Sequence, residues 1–340
     1  MKIKTLVCSA VVLMAMLPAF AHAKTRLIVN CFWPPQHKVC SELLPMWLED
    51  VERVTEGRVV GNVPPKSVAP PPEQLASVEK GIVDAAVQFS GLIQNRVSGP
   101  LVAMQPFVGS EDSGAMSTAL WETTVKYFPT EFDMVQLVSQ WVVSPGRLFS
   151  MTDTPITTLD EFTSRKIWAL PGPLANMSTA LGAGVVSTPA VKSNEVISTG
   201  VVDGHLGLGG DAIQAFQVIP YTKSMTKFSK PLYTTSFSLV VNKDKWSDIS
   251  PEDQAAIMEV SGSHFGAKAG ATWDAVGAEV FAKFPSLDIT IHEADPALEE
   301  KFVEAAAEVT AKWIETVTAS GVDGNEALEF YTQRVKDLSK

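Results

Sequence analysis

Polar and apolar positions alternate into Leu27-Ile28-Val29 across residues 25–30, which predicts a strand ended by Phe32-Trp33-Pro34-Pro35. Leu43, Leu44, Trp47, Leu48, Val51 and Val54 then recur at helical spacing, and Thr55-Glu56-Gly57 stops the helix they predict. Residues 58–63 form the next strand, and the prolines between 64 and 72 make an ordered corner. Around Trp141, residues 136–152 predict strands that change direction at Ser144-Pro145-Gly146. A short helix opens at Thr157-Thr158 with acids in its first turn, and a strand over 166–170 ends at Pro171-Gly172-Pro173. The helix that follows stops at Gly182, giving βαβ order. A strand over 237–242 returns the chain to its first half. Ser250-Pro251 is a strong helix start, and the pattern stays helical to Phe284. Such a helix would be about 50 Å long and lie across more than one lobe, with Gly262, Gly266 and Gly270 as points of bending.

Two segments far apart echo one another. Residues 77–85 and 196–204 both end in glycine, two β-branched residues, aspartate and a small residue. Each predicts a short helix ended by a left-handed glycine and running into a buried strand that the β-branched pair begins. The loops beyond them, Gln88-Phe89-Ser90-Gly91 and Gly207-Leu208-Gly209-Gly210-Asp211, stand at the carboxyl ends of those strands. Open α/β sheets bind ligands there, so two such units predict two lobes facing one cleft.

Composition narrows this picture. Lys2 and Lys4, an apolar run from Leu6 to Phe20 and Ala21-His22-Ala23 predict a secretory signal peptide over 1–23, cleaved after Ala23, and hence an exported protein. The formal charge is −11, which disfavours nucleic acid and anionic lipid as partners. Cys31 and Cys40 remain beyond the signal segment, and an even count in an oxidising compartment fits a disulfide, with two buried free thiols as the other reading.

Recognisable catalytic chemistry is missing. The sequence holds no G-x-S-x-G, P-loop, H-E-x-x-H or C-x-x-C, and the histidines beyond the signal segment, at 37, 205, 264 and 292, are scattered singly. The glycines at 204, 207, 209 and 210 do not match a dinucleotide fingerprint. A cleft protein without catalytic groups is most simply a binding protein, and neither an enzyme activity, a cofactor nor a metal is expected.

Several motifs carry a family resemblance: Thr55-Glu56-Gly57-Arg58, Gly81-Ile82-Val83-Asp84, and Pro155-Ile156-Thr157-Thr158-Leu159-Asp160-Glu161-Phe162. The ordered series from Lys166-Ile167 through Ala180-Leu181-Gly182-Ala183 and Pro189 to Thr199-Gly200-Val201-Val202-Asp203-Gly204 extends it, as do Asn242-Lys243, Trp246 and Ser250-Pro251-Glu252. Together they resemble the DctP-type periplasmic solute-binding proteins of TRAP (tripartite ATP-independent periplasmic) transporters. The resemblance implies an α/β, two-lobed periplasmic binding protein of type II-like form, with a cleft between the lobes and a long helix spanning both. It implies closure over a small solute and delivery to the membrane permease subunits, and the chain is expected to act as a monomer. The expected division is lobe I over 24–145 with a return segment at 237–270, lobe II over 146–236 with 271–295, and C-terminal helices over 296–340.

The departure from the family concerns the solute. Where the family usually reads Lys-Ile-Arg, with the arginine clamping a carboxylate, this chain has Trp168. The family's second, less constant arginine is matched by Arg147. Phe32, Trp33, Phe89, Ser90, Trp141, Gly209 and Phe237 stand near strand ends and join Trp168 as candidate pocket residues. An aromatic cluster without the usual arginine suits an ammonium group through cation–π attraction, with Asp211 as counter-charge. The expected solute is therefore an amine or amino alcohol such as ethanolamine, with an organic acid, either a carboxylate or a sugar acid, bound through Arg147 as the alternative.

Overall fold

The computed structural model describes residues 24–339, so the signal peptide expected over 1–23 lies outside the described residues. The strands are β1 (Thr25–Asn30), β2 (Val59–Asn62), β3 (Ala85–Phe89), β4 (Gln136–Val142), β5 (Arg147–Ser150) and β6 (Lys166–Ala169). They continue with β7 (Gly184–Val186), β8 (Gly204–Leu208), β9 (Ser224–Lys227), β10 (Ser236–Val241) and β11 (Thr290–Glu293). Two sheets form, in the orders β2-β1-β3-β10-β4 and β11-β9-β5-β8-β6-β7. Each has a parallel part, β2-β1-β3 in the first and β8-β6-β7 in the second, and each contains one strand that runs against its neighbours, β10 in the first and β5 in the second, while β9 and β11 form a further parallel pair. The chain is therefore mixed α/β and two-lobed.

In the first lobe, the helix Leu44–Val54 buries Leu44, Trp47, Leu48 and Val51, the stripe that its periodicity predicts. Trp47 carries an indole N–H into this core and donates it to Ser261 Oγ at 2.9 Å. At the helix start expected at Thr157-Thr158, Thr158 is the N-cap and closes a capping box, with Thr158 Oγ1 accepting from Glu161 N and the Glu161 carboxylate accepting from Thr158 N.

The echo units differ from expectation in one respect. Gly81 and Gly200 do take left-handed backbone, at φ +66° and +67°, but β3 and β8 begin only after the aspartates. The β-branched pair lies in the turn, with Ile82 62% exposed and Val83 buried, and Val201 49% exposed and Val202 buried. What the aspartates do is the same in both lobes. Asp84 Oδ2 accepts from Ile28 N of β1 at 2.8 Å, and Asp203 Oδ2 accepts from Lys166 N of β6 at 3.1 Å. Each carboxylate thus satisfies a backbone donor of the neighbouring parallel strand.

The predicted long helix is two helices, Pro251–Glu259 and Gly262–Ala282. The break falls at Gly262, whose φ of +51° no α-helix contains. Gly266 and Gly270 do not break the second helix; a Cβ there would meet Gln140 O or Ser113 O at 2.3 Å, so they let the helix lie close on the first lobe. Near its other end, Gly277 lies against Gly210 and Ser144, so this one helix touches both halves of the molecule. The chain also crosses between sheets at residues 143–146 and 228–235. The C-terminal helix Pro296–Ala319 packs on elements of both lobes, and Trp313 on it donates to Ser98 O at 2.9 Å. No helix among the described residues is long and apolar enough to cross a membrane.

Candidate functional site

Beyond β1 the chain closes a small covalent ring, because Cys31 and Cys40 are disulfide-bonded. Inside that ring, Trp33 stacks on Phe32 at 3.7 Å between centroids and on His37 at 5.1 Å. His37 is the meeting point of three parts of the fold. Its ring also stacks on Phe216 of the second lobe at 5.8 Å and lies 5.5 Å from Trp273 of the spanning helix. Phe237 on β10 reaches Trp33 at 5.1 Å and Phe89 at 5.5 Å, which extends the aromatic wall along the first sheet.

These side chains bound a cavity between the lobes with about 640 Å³ of empty space, part of it open to solvent. The second lobe closes it with Leu170, residues 189–191, residues 207–209, Asp211, Ala212 and Phe216. At the lips the backbones nearly touch, since a Cβ on Gly172 would lie 4.0 Å from Gly91 Cα. The lining is largely apolar and contains no lysine or arginine.

Two titratable groups line this space. Val39 N donates to His37 Nδ1 at 3.3 Å, so the neutral ring carries its proton on Nε2, which has no protein partner among the described residues. Burial pushes the His37 imidazole down to about 3, so the ring is neutral at physiological pH. On the opposite lobe, Asp211 Oδ1 accepts from Ser144 Oγ at 2.8 Å. Burial pushes this carboxyl up to about 6, against the opposing pull of Ser144 and the backbone N–H groups of Ala212 and Asp211.

Of the residues expected from sequence, Phe32, Trp33, Phe89, Gly209, Asp211 and Phe237 are brought together around the cavity. Four are not. Ser90 is buried in the short turn Ser90–Leu92 and lies outside the lining. Trp141 stands behind the wall, stacked on Phe237 at 6.0 Å and edge-on to Phe265. Arg147 is drawn away from the cleft, with Nη2 2.6 Å from Glu111 Oε2 and its guanidinium over Phe281. Trp168 is fully buried two residues below the rim, where Leu170 takes the lining position; its Nε1 donates to Thr188 Oγ1 at 2.9 Å. It props the segment before residues 189–191 rather than facing the solute space.

Sequence reasoning missed His37 as a site residue, along with Leu170, Phe216 and Trp273. His37 had one usable signal, its place inside the cysteine-bounded loop beside Pro34 and Pro35. Trp273 is a lone tryptophan on a glycine-rich helix, and only tertiary structure shows which way it faces. Among the described residues, no group of three His, Cys, Asp or Glu side chains could hold a metal ion.

Residues 29–316 match the family model "Bacterial extracellular solute-binding protein, family 7", DctP. A curated relative from Comamonas testosteroni, described as outer membrane transporter protein TsaT, is 34% identical over 334 residues, covering 97% of this chain and 98% of the relative. A TRAP periplasmic solute-binding protein of Bordetella bronchiseptica with bound (R)- and (S)-mandelate superposes with TM-score 0.86 at 28% identity, covering 92% of this chain and 99% of that one. A TRAP solute-binding protein of Rhodoferax ferrireducens in complex with copurified benzoate gives TM-score 0.82 at 25% identity, covering 92% and 98%.

Proposed function

The chain belongs to family 7 of the bacterial extracellular solute-binding proteins, the DctP family, and on that premise we propose that it captures a small aromatic acid in the periplasm for a TRAP permease. Proteins of this kind bind small-molecule solutes and work with membrane permease components. The observation that carries the solute class is the cavity itself. Aromatic rings from the first lobe, the second lobe and the spanning helix converge on one cavity between the lobes. A flat ring entering it would replace water with stacking on several faces at once. The solutes bound by the Bordetella and Rhodoferax relatives are aromatic acids and support the same class.

Both sequence-based expectations for the solute lose their anchoring residue. The amine reading leaned on Trp168 as a cleft wall, and the organic-acid alternative, a carboxylate or a sugar acid, on Arg147; neither side chain lines the cavity, and the aromatic acids bound by the relatives support the organic-acid class without that arginine. Under this proposal the lobes divide at 24–145 with 237–270 and at 146–236 with 271–295, and solute closes one upon the other.

The test is a thermal-shift screen with mandelate, benzoate, ethanolamine and a sugar acid. At a hundredfold excess over Kd, a true solute stabilises the folded state by about 2.7 kcal/mol. The aromatic acids should raise Tm by several degrees, while ethanolamine and the sugar acid leave it unchanged. Stabilisation by ethanolamine alone would overturn the proposal and restore Asp211 as the counter-charge of an amine.

A further inference from the structure

An acid taken into this cavity meets no permanent positive charge. Arg147 is committed to Glu111, and the titratable side chains of the lining are His37 and Asp211. An unpaired anion moved out of water into an apolar space is strongly disfavoured. Besides the indole N–H of Trp273, unpartnered among the described residues, the two titratable groups could nonetheless each offer it a hydrogen bond from opposite walls. His37 offers Nε2–H because Val39 N–H occupies Nδ1. Asp211 can offer O–H only when its carboxyl is protonated, and the Ser144 hydroxyl on Oδ1 leaves Oδ2 as the oxygen to carry that proton.

We propose that the site captures its aromatic carboxylate together with one proton, which resides on Asp211, while neutral His37 supplies the second hydrogen bond. This rests on the aromatic-acid proposal above. The step balances: the solute brings −1 and the proton +1, an O–H bond forms on Asp211, and one bond to hydrogen breaks in the hydronium ion or buffer acid that supplies the proton, whose conjugate base stays in solvent. The surroundings favour that proton. Burial has already raised the Asp211 carboxyl, the negative charge of Asp274 on the spanning helix raises it further, and the facing wall contributes only the neutral imidazole of His37.

The sign of the pH dependence follows. Below about pH 6 the free protein already carries the proton and affinity is flat. Above it, Kd for the carboxylate should rise about tenfold per pH unit, the signature of one linked proton. Titration calorimetry with benzoate from pH 5.5 to 8.5, in two buffers of different ionisation heat, reads both the slope and the proton count. The expected result is uptake of close to one proton at pH 8. Asp211→Asn, whose amide oxygen can still accept from Ser144, should abolish the slope and bind benzoate more tightly than the unmodified protein at pH 8. His37→Phe should weaken binding at every pH and leave the slope intact. Tight benzoate binding with a flat profile and no proton uptake would overturn this proposal and leave the aromatic-acid function standing. Failure of both benzoate and mandelate to bind at any pH would overturn both.

Discussion

The two echo units are built alike up to the strand and differ beyond it. In each, a glycine near φ +66° ends a short helix, the second β-branched residue is buried, and an aspartate accepts a backbone N–H from the adjacent parallel strand. Past β3 the first lobe presents Phe89 to the cavity, whereas past β8 the second presents the backbone of residues 207–209 and the carboxyl of Asp211. Backbone requirements dictate the repeated residues, and the solute dictates the rest. One framework thus offers a mostly aromatic wall in the first lobe, with His37 among its rings, and in the second a wall that sets the Asp211 carboxyl beside Phe216.

Reducing the disulfide should separate the two walls most strongly, because the crosslink exists only in the first lobe. The ring it closes is worth about 2–3 kcal/mol by the loop-length model, and it carries Phe32, Trp33, His37 and Val39 of the lining. Dithiothreitol, or Cys31→Ala with Cys40→Ala, is therefore expected to lower stability in urea and weaken solute binding together. Undiminished affinity in the reduced protein would show that the aromatic wall holds its shape without the bond.

A smaller effect tests the shared framework. Asp84→Ala and Asp203→Ala should each cost about 1.5 kcal/mol, the low end for a hydrogen bond to a charged group, because both bonds are open to solvent. Asp84→Ala should cost the more, because Lys245 Nζ also lies 3.4 Å from that carboxylate. If one substitution is silent in equilibrium unfolding, the two units are not mechanically equivalent.

Most even is the glycine pair. Gly81→Ala and Gly200→Ala should each cost roughly 1–2 kcal/mol through left-handed backbone strain. Space is not limiting at either position, where a new Cβ meets only Asn242 Nδ2 at 3.8 Å or nothing within 4 Å. Unequal costs would mean that one turn relaxes and the other cannot.

What the sequence made legible was whatever short-range physics decides. The stripe on Leu44–Val54, the helix start at Thr157-Thr158 and the left-handed glycines at 81 and 200 follow from spacing and backbone conformation alone. The disulfide matched the even cysteine count. Side-chain destinations were not legible in the same way. Trp168 sits on a strand that does lead to the cleft, but two residues too deep, and the partner that claims Arg147 is a glutamate 36 positions earlier. His37 became visible as a site residue only when Phe216 and Trp273 arrived beside it from distant parts of the chain. The helix break at Gly262 was ambiguous for a related reason. Three glycines at four-residue spacing look alike in sequence, and tertiary contacts explain why 266 and 270 stay helical.

The cystine ring has a consequence for how quickly solute can be let go. A ten-residue loop tied at both ends has few alternative shapes, so the ordering entropy of binding falls mostly on the opposite wall, where residues 189–191 and 207–209 carry no crosslink. Under the proposed closure, residence time would depend chiefly on how often the second lobe swings away, and little on any loosening of the stack around Trp33. A permease that pulls on that lobe alone would gain control of unloading while the aromatic shelf stays set for the next molecule.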